Sequence, residues 1–180
     1  MIYRINKYLT LRNFESKDLK LKYYSWFQDQ LITNYSSHGK FTKGKKYYQK
    51  YIEDFLIKND RVLWAICYKK KHIGNITLGN MSIINRSGEF SIIIGEKKFW
   101  KKNISYLVSL KLFEHSFFKL NLNRIYCGMS SNNKGMINLS RKLNMKKEGV
   151  KREALFLNNK YVDVFEFGIL KEEFLNKKNI

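Results

Sequence analysis

The sequence contains no proline, only two cysteines and ten glycines among its 180 residues. No stretch approaches the roughly 18 to 20 apolar residues of a membrane span, and the N-terminal MIYRINKYLTLR lacks the apolar core of a signal peptide. Cys67 and Cys127 lie in apolar, strand-like runs, which favours buried reduced thiols over a disulfide or a metal site. We therefore expect a cytosolic protein that uses no metal and contacts no membrane.

Negative charge is also scarce. Lys and Arg number 35 against 15 Asp and Glu, so the formal net charge is +20. Such a charge can attract nucleic acid or acidic ligands. However, lysine and asparagine are scattered through every segment, which indicates a general compositional bias. No aromatic-and-basic sheet motif or helix-turn-helix pattern accompanies the charge, so we do not expect nucleic-acid binding to be the main function.

Apolar residues are plentiful and spread along the whole chain. Hydrophobic residues make up 44% of the sequence and aromatic residues 16%. A chain of this length and composition can bury a core of its own and fits one domain. We expect a single domain over 1–175 and a disordered tail over 176–180.

The order of predicted elements indicates a single mixed α/β sheet. A short strand at 8–12 is followed by two helices, and Ser16 is a suitable cap for the first of them. Residues 30–40 read as a loop between these helices. A meander of three strands covers 61–96, where apolar runs alternate with short polar turns. The first half of the chain should therefore form an antiparallel part of the sheet.

The second half should add a strand–helix–strand unit and a hairpin. A helix over 103–119 lies between the strand that ends at Gly95 and another at 123–130. After a helix at 134–143, two strands meet at Asn158 and Asn159, which tolerate a left-handed turn. A ligand is expected at the strand ends of the strand–helix–strand unit.

The segment GEKKFWKKNISYLVSLKLF, residues 95–113, has the outline of an anion site but lacks the usual glycines. An apolar strand leads into a helix N-terminus, where backbone N–H groups can hold a phosphate. Such turns are normally rich in glycine, because the backbone adopts φ > 0 and approaches the phosphate closely. Here the turn reads Lys101, Lys102, Asn103, Ile104 and Ser105.

Two segments resemble the GNAT superfamily of acyl-CoA-dependent N-acyltransferases, in the branch of ribosomal-protein alanine acetyltransferases and amino-sugar acetyltransferases. FSIIIGEKKFWKKNIS is similar to I-G-x-x-x-x-W-G-K-G-[IY]-[GA]. SSNNKGMINLSRKLNMKKEGVKREA is similar to N-x-x-[AS]-x-x-[LV]-[YS]-x-K-x-G-F-x-x-E-G-x-x-R-[ED]. The resemblance covers nearly the whole chain. It implies a mostly antiparallel sheet with flanking helices and splayed central strands.

The resemblance also implies acetyl-CoA as co-substrate. The family's glycines correspond to Lys101, Asn103, Ser105 and Asn144, and asparagine tolerates φ > 0, so we expect the loop to keep its shape. An N–H group of Ile93 or Ile94 is expected to face the thioester carbonyl. Contacts to the phosphates and the rest of the cofactor are expected from Lys101, Lys102, Asn103, Ile104, Ser105, Asn133 and Lys142. A helix cap for Asn133 and a solvated charge for Lys142 are the alternatives.

The family's chemistry implies direct attack of a neutral amine on the thioester in a ternary complex. Glu89 is our first choice of base, although a carboxylate at a strand end can also be a plain surface group. Ser140 stands where many relatives have a tyrosine as general acid. Because a serine hydroxyl is a weak acid, water, Tyr106 or no protein group are alternatives. The acceptor is expected to contact Trp26, Tyr35, Ser36 and His38.

Three functions are consistent with the sequence. We favour an N-acetyltransferase for a nucleotide-linked amino sugar of surface glycan synthesis, because W...ITNYSSHGKF resembles the amino-sugar branch and the positive charge suits a diphosphate. The second is a protein N-terminal acetyltransferase. The third is a non-catalytic module that binds coenzyme A or nucleic acid. A homodimer is left open as the assembly.

Overall fold

The computed structural model describes residues 2–19, 21–35, 44–57 and 60–178. The strands in this part of the chain form one sheet of eight, in the order β1-β2-β3-β4-β5-β6-β8-β7. All neighbouring strands are antiparallel except β5 and β6, which are parallel. The strands are Ile2–Arg4 (β1), Leu9–Asn13 (β2), Val62–Tyr68 (β3), Lys71–Ser82 (β4), Ser87–Ile94 (β5), Arg124–Ser130 (β6), Lys146–Leu157 (β7) and Lys160–Leu170 (β8).

Helices flank this sheet, which confirms the mixed and mostly antiparallel α/β architecture. They are Leu21–Gln28 (α1), Gln30–Thr33 (α2), Lys45–Ile57 (α3), Ile104–Phe118 (α4), Lys134–Lys142 (α5) and Lys171–Lys178 (α6). Short 3-10 turns occur at Ser16–Asp18 and Lys97–Phe99. Among the helices described, none is long and apolar enough to cross a membrane.

Two hydrophobic cores lie on opposite faces of the sheet. Trp64 and Ile66 of β3 belong to the core that includes α4, whereas Ala65 and Cys67 belong to the core that includes Trp26 of α1. Neighbouring residues of a strand point to opposite faces, so α1 and α4 cover opposite sides of β3. The sheet is therefore a central layer between two groups of helices.

The start of the first helix differs from the prediction. Ser16 is not a cap: it begins the 3-10 turn, and α1 starts later, at Leu21. The turn is fixed by Asp18, whose carboxylate accepts the N–H of Glu15 at 2.9 Å and receives two hydrogen bonds of 2.6 Å from Arg12. A buried ion pair thus decides the local structure, and the serine is incidental.

Elements that the sequence analysis missed lie at the two ends of the chain and in the first predicted loop. β1 is only three residues long and is held by pairing with β2 and by a 2.8 Å hydrogen bond between Tyr3 and His115. α2 occupies part of the predicted loop over 30–40. α6 continues through 176–178, three residues of the predicted tail, and is anchored by Phe174, which is buried against Phe117 of α4.

The two parallel strands separate soon after they begin. β5 and β6 pair only at Ser87–Arg124, Gly88–Ile125 and Glu89–Tyr126. Beyond these residues β5 follows β4 as far as Ile94, while β6 follows β8 as far as Ser130. The sheet therefore opens into a cleft after Glu89 and Tyr126, as expected for splayed central strands.

Candidate active site

The loop at the wide end of the cleft is tied to the end of β5. The indole Nε1 of Trp100 donates a 2.7 Å hydrogen bond to the carbonyl oxygen of Ile94. Three residues further on, Asn103 is the N-cap of α4. The N–H groups at this helix N-terminus, with the positive end of the helix dipole, can hold an anion beside the cleft.

The loop keeps a left-handed backbone although glycine is absent from it. The φ angles of Lys101 and Asn103 are 60° and 59°, and that of Asn144 in the later turn is 63°. These are three of the four positions where related sequences have glycine. The fourth, Ser105, lies inside α4, where no positive φ is required. The expectation that asparagine preserves the turn is confirmed, and Lys101 adopts the same conformation.

Lys142 of α5 reaches across to this loop. Its Nζ donates a 2.7 Å hydrogen bond to Oδ1 of Asn103 and lies 4.5 Å from the centre of the Tyr106 ring. Lys142 is therefore not simply a solvated charge. It connects α5 to the loop and to the first turn of α4, and its contact with the cofactor remains a prediction.

The two other lysines of the loop are exposed. Lys102 lies 5.6 Å from the centre of the Phe99 ring, a cation–π contact at the surface. In the described ranges, no carboxylate comes within 4.0 Å of the ammonium group of Lys101 or Lys102. Both charges can therefore act on a phosphate group at the loop.

The backbone of β5 distinguishes the two candidate donors for the thioester carbonyl. Gly95 N–H donates to the Ile73 carbonyl at 2.9 Å, so Gly95 faces β4. In an antiparallel pair, residues face the neighbour alternately, so Ile93 also faces β4 and Ile94 faces the cleft. A Cβ on Gly74 would lie 2.3 Å from the Ile93 carbonyl oxygen, which agrees with that direction. Of the two candidates, the N–H of Ile94 is the one that faces the cleft.

Asn133 caps helix α5. Its Oδ1 accepts the N–H of Met136 at 3.1 Å, which is the usual N-cap interaction. The structure therefore shows the alternative role for Asn133, that of a helix cap. A hydrogen bond from Asn133 to the cofactor remains a prediction.

Glu89 lies at the narrow end of the cleft and is positioned by neighbours. Asn80 of β4 donates a 2.6 Å hydrogen bond to Oε2 of Glu89. On the other side, Glu89 pairs in register with Tyr126. The pKa of the Tyr126 phenol is raised, mainly by burial and further by the negative charge of Glu89. A held carboxylate beside a protonated phenol can accept a proton from an amine that enters the cleft.

Ser140 is in the core and does not line the cleft. It is fully buried, and its Oγ lies 3.8 Å from the sulfur of Cys127 and 4.0 Å from that of Met129, both in β6. Burial raises the pKa of Cys127 to about 12, so this thiol stays protonated. Ser140 therefore packs within the core, and its position does not support the assignment as a general acid.

Of the four predicted acceptor residues, the structure describes Trp26 and Tyr35. Trp26 is 3% exposed, and its indole lies against Gly95 so closely that an added Cβ there would be 1.9 Å from the ring. Trp26 is thus a core residue that requires glycine at position 95. Tyr35 is at the surface after α2. Ser36 and His38 lie outside the described residues.

A depression lined by Tyr126, the strand partner of Glu89, was not predicted from the sequence. It has a volume of about 280 Å³. Its polar lining comes from β6, β7 and β8, namely Arg124, Tyr126, Glu148 and Glu166. The sequence signal was the alternation in β6, where the polar side chains of Arg124 and Tyr126 lie on the face opposite to the buried Ile125 and Cys127. In the described part of the chain, no group of three or more His, Cys, Asp or Glu could hold a metal ion.

Comparison with known proteins identifies the family and the fold. The family Acetyltransferase (GNAT) domain matches residues 8–146, and the chain belongs to this family. The spermidine N(1)-acetyltransferase of Vibrio cholerae is 30% identical over 96% of this chain and 99% of its own length. A putative ribosomal N-acetyltransferase of Bacillus subtilis is 25% identical over 97% of this chain and 98% of its own length.

Solved structures agree with this assignment. The Vibrio cholerae spermidine N-acetyltransferase in complex with CoA and spermine has a TM-score of 0.85 and 26% identity, over 95% of this chain and 100% of that chain. A ribosomal L7/L12 alpha-N-protein acetyltransferase in complex with coenzyme A has a TM-score of 0.87. At 13% identity over 96% of this chain and 99% of its own, it supports the fold alone.

The protein is therefore an acetyl-CoA-dependent N-acetyltransferase, and the alternative of a non-catalytic module is wrong. The amino-sugar acceptor that we favoured from the sequence is not supported, because these relatives are named for spermidine or for ribosomal proteins. Its sequence basis was the segment around Ser36 and His38, which lies outside the described residues.

Proposed function

We propose that this enzyme acetylates a primary amine of a small aliphatic polyamine. The observation that carries the proposal is the depression beside Glu89, where Glu148 and Glu166 add two further carboxylates. In a chain with a net charge of +20, a local concentration of carboxylates is the feature that can hold a polycation. The spermidine N(1)-acetyltransferase of Vibrio cholerae supports the same substrate class.

The carboxylates of the depression are partly engaged with cations. Arg124 Nη1 donates a 2.6 Å hydrogen bond to Glu148, and Lys151 pairs with Glu166 at 2.5 Å. The side chains of Lys151 and Glu166 are 63% and 41% exposed, and solvent screening leaves little net stabilisation in an exposed pair of this kind. A polyamine ammonium group can therefore replace Lys151 at Glu166 at little cost.

In this proposal the acceptor spans the depression and the cleft. A distal ammonium group lies near Glu166, while the reacting amine lies further along the cleft, between Glu89 and Ile94. Glu89 is five residues, or about 17 Å along β5, from Ile94, so it takes the proton of the amine through water. The amine nitrogen bonds to the acetyl carbon, and the bond from that carbon to sulfur breaks. The N–H of Ile94 faces the carbonyl oxygen, where negative charge develops. Water supplies the proton for the leaving thiolate, since Ser140 is enclosed in the core.

An acceptor panel tests the substrate class. Release of free thiol from acetyl-CoA should be measured with spermidine, spermine, a nucleotide-linked amino sugar and a peptide with a free N-terminal alanine. The proposal predicts turnover with the polyamines, and a higher KM for spermidine but an unchanged KM for acetyl-CoA in Glu166→Gln. Glu172→Gln, which changes an exposed carboxylate on α6, is the matched control. Turnover with the peptide or the sugar alone would overturn the proposal.

A protein N-terminus is the second candidate acceptor. The relative from Bacillus subtilis supports it, and a strongly basic surface would favour approach to ribosomal RNA. In the panel, this candidate predicts turnover with the alanine peptide and none with spermidine. The cytosolic location, the single-domain organisation and the homodimer remain predictions.

A further inference from the structure

A second cavity lies on the side of the sheet that α1 covers, near the start of β4. It has a volume of about 320 Å³, and we call it the α1 pocket. Its basic lining comes from β2, the 3-10 turn, α1 and the junction of the β3–β4 turn with β4, namely Arg12, Lys17, Lys22, Lys70 and Lys71. Four separate segments of the chain thus direct positive charge to one place.

The floor of the α1 pocket is formed by buried and hydrogen-bonded side chains. Tyr23 and Trp26 are 5% and 3% exposed, so only the edges of their rings reach the cavity. His72 is held by a 2.7 Å hydrogen bond with Asn75, and burial lowers its pKa, so the ring is neutral at pH 7. The volume falls within the usual range for small-molecule sites. Packed side chains therefore bound the cavity on this side.

The positive charge around the α1 pocket is only partly balanced. Carboxylates pair with three of the five basic side chains: Asp18 with Arg12, Glu15 with Lys17 and Glu96 with Lys22. Lys70 and Lys71 form no ion pair with any residue that the structure describes. The ammonium group of Lys71 lies near the positive charges of Lys22 and, with a smaller effect, of Lys98. These neighbours lower the pKa of Lys71. An anion between these lysines would relieve this repulsion.

The α1 pocket is separate from the proposed base and from the depression proposed for the acceptor. Along β5, Glu89 is six residues, or about 20 Å, from Gly95, where Trp26 packs. The anion loop at Asn103 leads into α4, which covers the other face of the sheet. The depression proposed for a polyamine is lined by carboxylates, so its charge is the opposite of that in the α1 pocket.

We propose that the α1 pocket binds a second small ligand that carries phosphate groups and is distinct from acetyl-CoA. Lysine ammonium groups bind phosphate as point charges, and several of them suit a diphosphate better than a single monovalent anion. The ligand shares Lys22 with Glu96, which lies just before the anion loop. The proposal is independent of the identity of the acceptor amine.

Calorimetry on the whole enzyme tests this site. Because coenzyme A itself carries phosphates, the protein is first saturated with coenzyme A and then titrated with inorganic pyrophosphate. One equivalent should bind saturably. The double variant Lys70→Glu/Lys71→Glu should bind pyrophosphate at least about tenfold more weakly, since each lysine lost removes a charge-assisted contact. The control Lys119→Glu/Lys160→Glu makes the same charge change at two exposed positions away from the pocket.

The outcomes separate this proposal from that for the acceptor. Absence of saturable binding to the CoA-saturated wild type, or an equal loss in both double variants, would overturn the α1 pocket as an anion site. Tighter binding of ADP than of pyrophosphate would support a nucleotide as the source of the phosphates, and equal binding would support the diphosphate group alone. Thiol release with the best acceptor should persist in Lys70→Glu/Lys71→Glu. Absence of turnover in the acceptor panel would therefore count against the proposed function, and absence of pyrophosphate binding would count against the α1 pocket as an anion site.

Discussion

Lys142 donates a 2.7 Å hydrogen bond to the side chain of Asn103, although the two residues are 39 positions apart. Asn103 has a left-handed backbone, with φ 59°, at a position where the resemblance to the family implies glycine. Its side chain provides a hydrogen-bond acceptor that glycine lacks, and the ammonium group of Lys142 donates to it. The replacement of glycine has thus preserved the shape of the loop and joined it to helix α5.

Lys142→Met tests whether this lysine also binds the cofactor. The substitution keeps an unbranched side chain over Tyr106 but removes the charge. We predict that Lys142→Met weakens the binding of coenzyme A about tenfold more than it weakens the binding of 3′-dephospho-CoA. The reason is that only coenzyme A loses a charge-assisted contact, the one to its 3′-phosphate. Calorimetry with both ligands measures the difference. Lys134→Met, an exposed position on the same helix, is the control. An equal loss for both ligands would mean that Lys142 acts only through Asn103.

Lys101→Glu tests the charge of the loop. Lys101 is exposed beside the proposed phosphate position and has a φ of 60°, which glutamate must also adopt, so the substitution changes charge with little change in backbone strain. We predict that acetyl-CoA binds at least about tenfold more weakly to this variant. Lys160→Glu, at the exposed turn between β7 and β8, should bind as the wild type does. Equal weakening in the two variants would show that the overall charge of the protein, and not the loop, attracts the cofactor.

Glu89→Gln tests the proposed base. The substitution retains the size of the side chain and a carbonyl oxygen for the hydrogen bond from Asn80, but removes the proton acceptor. We predict that kcat falls by about 10² to 10⁴ while affinity for acetyl-CoA is unchanged. The measurement combines steady-state thiol release with calorimetry on the same preparation. A kcat within a factor of about three of the wild type would reject Glu89 as the base.

The ion pair between Arg12 and Asp18 predicts a pH dependence of stability. Burial of Asp18 favours its neutral acid, but hydrogen bonds from Arg12 and the Glu15 N–H outweigh burial and hold its pKa below the ordinary 3.8. The carboxylate therefore stabilises the fold above pH 3.8, and this contribution is lost as the pH falls through the lower pKa of the folded state. Asp18→Asn should lose about 3 kcal/mol at pH 7, since it leaves Arg12 without its partner.

Denaturant unfolding between pH 7 and pH 2 checks this expectation. The difference in unfolding free energy between the wild type and Asp18→Asn should shrink below pH 3.8. Asp54→Asn, at an exposed position of α3, should match the wild type throughout. A difference that is independent of pH would show that the carboxylate charge is not what stabilises the turn.

The sequence predicted the sheet and the anion loop because both leave local signals. Alternating and apolar runs located β3 to β6, and the order of residues 95–113 located the helix N-terminus. Asparagine at position 103 was sufficient to predict the left-handed turn. Lys101 was less obvious, because lysine has no special tolerance for φ > 0 and its conformation depends on the residues around it.

Contacts between distant segments could not be read from the sequence. The depression beside Glu89 requires the pairing of β6 with β8, and the α1 pocket requires four segments to converge. Ser140 matched a catalytic position by alignment, yet its short side chain packs against sulfur atoms in the core. The burial of Trp26 likewise depends on Gly95, a close approach that no local pattern reveals.

The affinity of acetyl-CoA for Asn103→Gly and Asn103→Val tests most directly whether this glycine-poor loop holds the cofactor in the family's manner. Glycine enters the left-handed conformation without steric cost, so binding should persist in Asn103→Gly. Valine should weaken it by about 1–2 kcal/mol through Cβ crowding. Calorimetry with acetyl-CoA on the two variants and the wild type gives the comparison. If Asn103→Val bound acetyl-CoA as tightly as the wild type does, this would contradict the account. The left-handed turn would then have no part in holding acetyl-CoA.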